Sequence, residues 1–176
     1  MSMAFKLFLL LFMLSHNAYA EALYQHLGNK AEALSQQLQY NLTISPDGQG
    51  LPIGKGNATQ GEKLFKQQCS SCHGPAGIGA SAEPLVGEVG SLRSNYPEKT
   101  VNSYWPYATT LFDYIRRAMP IDAPFSLSAD EVYALSAYIL NQDDIIANDV
   151  ELNEETLPKV IMPNIDGFIS FYPDPN

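Results

Sequence analysis

The pentapeptide "CSSCH" at residues 69–73 limits what this chain can fold into more than any other feature, because Cys69 and Cys72 are its only cysteines. The two thiols stand three apart and His73 follows at once. All three lie within "GEKLFKQQCSSCHGPAGIGA", between a run of helical composition and a run rich in glycine. One turn of backbone therefore presents two sulfurs and an imidazole to the same object.

The compartment decides what those thiols meet. The first twenty residues, "MSMAFKLFLLLFMLSHNAYA", carry one positive charge at Lys6, an apolar run from Leu7 to Leu14, and small residues at Ala18 and Ala20. That order is the one of a secretory signal peptide, with cleavage expected after Ala20. The apolar run is shorter than the roughly 20 residues a membrane span needs, so no anchor is expected after cleavage. The expected location is the periplasm. Removing 20 of the 176 residues leaves 156, with 9 basic against 19 acidic side chains. So acidic a protein repels nucleic acid and anionic lipid and suits a partner with a basic docking face.

The length allows one domain with extensions. Residues 1–20 are the signal segment, 21–57 an N-terminal extension and linker, 58–142 the domain, and 143–176 a C-terminal extension. "EALYQHLGNKAEALSQQLQY" at 21–40 has helical composition, and "SPDGQGLPIGKGN" at 45–57 reads as an extended linker. The spacing predicts three domain helices. One covers 59–70, capped by Thr59 with Glu62. A second lies near 109–118, capped by Thr110 with Asp113. The third lies near 129–141, capped by Ser128 with Glu131 and striped by Val132, Leu135, Tyr138 and Ile139. Residues 73–106 read as irregular.

Three short helices and a loop of that length bury little apolar surface, so something else must supply core. A large flat cofactor would do so. C-x-x-C-H is the attachment signature of c-type haem, in which both thiols add to the porphyrin vinyl groups and the histidine ligates the iron. The other readings fare worse. A thioredoxin-like motif would need a βαβ pattern nearby. A zinc site would have only His26 and carboxylates to complete it. A plain disulfide would leave the core deficit unexplained.

A second axial ligand can be sought by elimination. Met1, Met3, Met13 and His16 leave with the signal segment, which leaves Met119, Met162 and His26. Met119 stands in "RRAMPIDAPF", and the following proline disfavours helical backbone at its predecessor, so the sulfur should be free to reach a metal. Met162, in "KVIMPN", has the same Met-Pro pairing and remains the alternative. Either methionine could equally be gap-filling core.

Residues 58–142 resemble a class I c-type cytochrome, an all-α fold of three to five helices around one covalent haem. "GEKLFKQQCSSCH" resembles that family's N-terminal helix, with Gly61 and Phe65 packing on the C-terminal helix. "AEPLVG" resembles the segment whose proline, here Pro84, offers its carbonyl to the proximal histidine. "MPIDAPFSLSADEVYALSAYIL" resembles the distal loop and final helix, with Met119 as ligand.

A narrower resemblance spans residues 40–170. "SPDGQGLPIGKGNATQGEKLF", "KTVNSYWPYATTLFDYIRRAMP" and "LPKVIMPNIDGF" are similar to the cytochrome subunits of periplasmic molybdenum sulfite dehydrogenases and of the Sox sulfur dehydrogenase. Asn102 stands where that pattern would carry glycine. The resemblance implies a protein that accepts single electrons from a molybdenum dehydrogenase subunit and passes them to a downstream cytochrome c or oxidase. Trp105, Tyr107, Arg116 and Arg117 become candidates for contact with the haem propionates. The extensions are expected to order against a partner. Two alternatives stay open: a general carrier for another periplasmic dehydrogenase, and a ligand-sensing haem protein with a displaceable methionine. No base, nucleophile or open metal site suggests a stand-alone enzyme.

Overall fold

The computed structural model describes residues 43–169; the signal segment and the helix expected at 21–40 lie outside them. In chain order the elements are β1 (Lys55–Asn57), α1 (Ala58–Gln68), α2 (Ser70–His73), α3 (Val101–Tyr104), α4 (Ala108–Ala118), α5 (Ala129–Gln142) and β2 (Glu151–Asn153). Short 3-10 turns lie at Pro75–Gly77, Ser91–Arg93 and Leu157–Lys159.

Helix α5 is the centre. Its cap is the one expected from sequence: Ser128 Oγ accepts from the Glu131 amide, and the Glu131 carboxylate accepts from the Ser128 amide at 2.8 Å. Its burial is wider than the expected stripe, because every residue from Val132 to Leu140 is buried. A helix buried on all sides needs neighbours on all sides. Helices α1 and α4 and strands β1 and β2 all pack against it. Phe65 stacks on Tyr138 with ring centroids 5.1 Å apart, and Phe112 on Tyr133 at 4.5 Å. Gly61 is pressed against the Ala134 carbonyl and the Tyr138 Cβ.

The other two caps differ from expectation. Helix α1 starts one residue earlier and is boxed by Asn57 and Gln60, each bonding the other's amide at 3.0 Å. Asn57 ends β1 with φ −128 and ψ 170, the extended geometry that a cap requires. Helix α4 follows Tyr107, which makes no side-chain cap, and Asp113 instead pairs with Arg117. An isolated bridge between Tyr107 and Ile161 pins the backbone there.

That bridge belongs to a return of the C-terminal segment over the domain. Strands β1 and β2 pair antiparallel, with Gly56 opposite Leu152. Leu152, Leu157 and Met162 are buried, and Asn164 Nδ2 donates to the Tyr104 carbonyl at 2.7 Å. On the N-terminal side, Tyr133 donates its hydroxyl to the Pro52 carbonyl, and the Lys55 amide donates to Asp130. Over their described residues the extensions thus fold onto their own domain and supply part of the core. Ile53, Ile161 and Ile169 stay exposed.

Candidate haem site

The signature residues sit where α1 runs out. The Cys69 amide closes α1 on Phe65, and Cys72 and His73 then bond back to the Cys69 carbonyl at 3.1 and 2.9 Å. Cys69 is half-buried and Cys72 exposed, and no disulfide joins them. Before attachment, burial first and then the neighbouring Cys72 push the Cys69 thiol up to about 11. Beyond His73 the chain doubles back tightly. The Gly79 amide donates to the His73 carbonyl at 2.7 Å, and the Ala82 amide to the Cys72 carbonyl at 2.8 Å. Gly74 (φ 73) and Gly79 (φ 96) make this turn possible, since a Cβ at Gly74 would meet the Gly79 carbonyl.

The turn brings the chain under the imidazole. His73 Nδ1 lies 3.0 Å from the Glu83 carbonyl oxygen. A carbonyl only accepts, so Nδ1 carries the proton and Nε2 keeps its lone pair for a metal. The sequence reading gave this carbonyl to Pro84; the structure gives it to the residue before. Proline disfavours helical backbone at its predecessor and so narrows the directions the Glu83 carbonyl can take. Pro84 acts by holding Glu83 and by packing against Gly79.

Met119 occupies the C-cap of α4 in extended geometry (φ −122, ψ 145), half-buried against the core. Met162 is 1 % exposed and belongs to the core itself. The two candidate sulfurs are thereby separated: one stands at a loop entry, the other is packed. Leu64, Leu85, Trp105 and Leu127 are likewise half-buried against the core. Cys69, Cys72 and His73, with its Nε2 free, are the donors that haem c takes from one short segment, and Met119 at its loop entry remains the candidate for a further ligand. Among the described residues, which do not include His26, no group of three or more His, Cys, Asp or Glu side chains comes together.

The propionate candidates are dispersed in role. Trp105 meets Tyr114 edge-on at 5.7 Å, and Tyr107 is 38 % exposed. Arg117 contacts Asp113 through both carboxylate oxygens, at 2.7 and 2.9 Å. Arg116 is half-buried, and its charge acts on the Tyr133 phenol.

Two residues that sequence reasoning did not place among the site's supports are Asn102 and Asp143. Asn102 is fully buried in α3, whose helical backbone needs no glycine. Its Nδ2 donates to the Ile139 carbonyl and to Asp143 Oδ2, both at 2.8 Å. The same Asp143 oxygen accepts from the Gly87 amide at 3.2 Å. Among the described residues the buried Asn102 Oδ1 has no hydrogen-bond partner. The only sequence cue was the departure from glycine.

A family model described as cytochrome C oxidase, cbb3-type, subunit III, matches residues 56–139. Among solved structures, the sulfane dehydrogenase SoxCD from Paracoccus pantotrophus is similar to this chain, with 39% sequence identity and a TM-score of 0.72. The match covers 82% of this chain and 68% of that one. No curated protein matches. The chain belongs to the class I c-type cytochromes, with covalently bound haem c and the carriage of electrons as its work. Within that class it is related to the cytochrome subunit of the Sox sulfur dehydrogenase. Among the described residues no helix is long and apolar enough to cross a membrane.

Proposed function

We propose that this protein is a periplasmic electron carrier. It takes single electrons from a sulfur-oxidising molybdenum dehydrogenase and passes them to a second cytochrome c or a terminal oxidase. The observation that carries the reading is the His73–Glu83 contact, which frees Nε2 for iron directly beside two thiols. Haem c supplies a one-electron couple between ferric and ferrous iron.

In this reading Cys69 and Cys72 would hold haem c through thioether bonds. His73 Nε2 and the Met119 sulfur would hold its iron, and the group would supply the one-electron couple that a carrier needs. A thioether ligand and apolar cover both favour the ferrous state and raise the potential. Leu64, Leu85 and Leu127 offer that cover, and Trp105, Tyr107 and Arg116 are the candidates for the propionate edge. The excess of acidic side chains steers the carrier to a basic docking face. The similarity to SoxCD supports a sulfur-oxidising donor, and the leader-like first twenty residues support the periplasm.

The test starts from native periplasm isolated under mild conditions without oxygen. Sulfite and then a sulfane donor are added while haem absorption is followed. Rapid reduction by a copurifying molybdenum protein is expected, and the substrate that elicits it identifies the donor. A haem reducible by dithionite but by neither sulfur compound would place the donor elsewhere.

A further inference from the structure

We infer that Asn102 and Asp143 form a latch that positions the His73 ring through the segment 83–87. The inference rests on the reading of His73 as an iron ligand and extends it to the residues that hold the ligand still.

The path can be followed bond by bond. The Glu83 carbonyl that accepts from His73 belongs to the segment 83–87, and this segment is held at three places. The Leu85 amide donates to Gly77 in the turn after the signature, at 2.8 Å. The Leu85 carbonyl accepts from the Val101 amide, the first residue of α3, at 3.1 Å. The Gly87 amide donates to Asp143 Oδ2. The first hold ties the segment to the signature loop itself, so it moves with that loop. The other two tie it to α3 and to the C-terminus of α5, and Asn102 is the side chain that joins those two elements. One Nδ2 hydrogen goes to the Ile139 carbonyl in the last turn of α5 and the other to the Asp143 carboxylate. Such carbonyls have no partner within their own helix.

Asn102 spends both donors on this junction, and among the described residues its buried Oδ1 has no hydrogen-bond partner. Exchanging the amide oxygen and nitrogen would not help, because the oxygen would then face a carbonyl and a carboxylate. A buried polar group with one end unsatisfied is retained where the other end does something an apolar residue cannot. Here that is to fix Asp143, and through Gly87 the strand of chain that ends at the Glu83 carbonyl. Asn102 and Asp143 are positioning residues: they act on the iron ligand only through the Glu83–His73 contact. Their effect should therefore appear as basicity of the imidazole. A firmly held Nδ1–H bond makes His73 the stronger donor to iron and favours the ferric state, and a loosened one raises the potential.

The test uses the intact haem protein and the variants Asn102→Ala, Asp143→Ala and Asp143→Asn. Two properties are read: exchange of the His73 Nδ1 proton with deuterium by NMR, and the midpoint potential. Faster ring-proton exchange and a higher potential are expected in Asn102→Ala and Asp143→Ala. Asp143→Asn keeps an acceptor oxygen for both the Gly87 amide and Asn102, and should restore slow exchange. Should Asn102→Ala fail to fold, the Asp143 pair answers the same question at a half-buried position. Lower thermal stability with unchanged exchange and unchanged potential in Asp143→Ala would overturn the inference and leave the pair a purely structural bond. Failure of the underlying reading looks different: the unaltered protein would then lack any haem-shifted resonance from His73.

Discussion

Gly61 faces the Ala134 carbonyl across the crossing of α1 and α5 with no room for a methyl group between them. The neighbour is backbone of a helix buried on every side, so it cannot rotate away as a side chain would. Alanine at a helical position normally gains up to about 1 kcal/mol over glycine. Here the added carbon must part the two helices, and overpacking of this kind costs about 1–3 kcal/mol. Gly61→Ala is therefore expected to lower unfolding free energy by about that amount in denaturant titration. Equal or greater stability in the variant would show that the crossing has slack.

The C-terminal return makes a second prediction. Leu152 is fully buried opposite Gly56, whereas Ile161, on the same returning segment, is 77 % exposed. Truncating a buried leucine costs about 2–5 kcal/mol through lost transfer energy and the cavity left behind. An exposed position ordinarily changes stability by less than about 0.5 kcal/mol. Leu152→Ala should thus destabilise like a core mutation and Ile161→Ala hardly at all. Equal small effects would mean that the return is not part of the domain's core.

Which features were legible in the sequence follows from how local their causes are. The α5 cap was legible because Ser128 and Glu131 satisfy each other within one turn. The α1 cap was misplaced because Asn57–Gln60 and Thr59–Glu62 both fit the pattern; pairing of β1 with a strand nearly a hundred residues on puts Asn57 in extended geometry. The start of α4 is pinned by Ile161 from the far end of the domain, so Thr110 never had the choice. Three-residue strands such as β2 carry no periodicity to read. At the site, two thiols and an imidazole in one turn identify the chemistry unaided. The Glu83 carbonyl, by contrast, is main chain and has no signature beyond the proline after it.

The buried phenol of Tyr133 predicts an alkaline limit. Burial first, and then Glu154, raise its pKa above the ordinary 10.0, while Arg116 pulls it back. The folded state therefore holds the proton at a pH where the unfolded chain releases it. Stability from this group is complete below pH 10 and is lost progressively as pH rises beyond that value. In Tyr133→Phe this loss should disappear, at the expense of about 0.5–1.5 kcal/mol at neutral pH for the lost bond to the Pro52 carbonyl. Thermal melts of both proteins between pH 8 and 11 measure it. Parallel curves would assign the alkaline sensitivity to another group.

Met119 and Met162 offer two sulfurs in opposite settings, and each substitution should reveal its own. Met162 is 1 % exposed within the core, so Met162→Ala should cost about 2–5 kcal/mol in stability. It should leave the weak sulfur-to-iron charge-transfer band of the ferric protein in place. Met119, half-buried at the C-cap of α4, contributes less packing and in the proposed site supplies the ligand. Met119→Ala should abolish the band and lower the potential, because an electron-poor thioether is exchanged for water or a harder donor. Carbon monoxide should then bind the reduced variant readily, since an axial position has opened. The reverse pattern, with the band lost in Met162→Ala and kept in Met119→Ala, would move the ligand to the returning C-terminal segment. It would also require that segment to leave the core in the haem-bound protein.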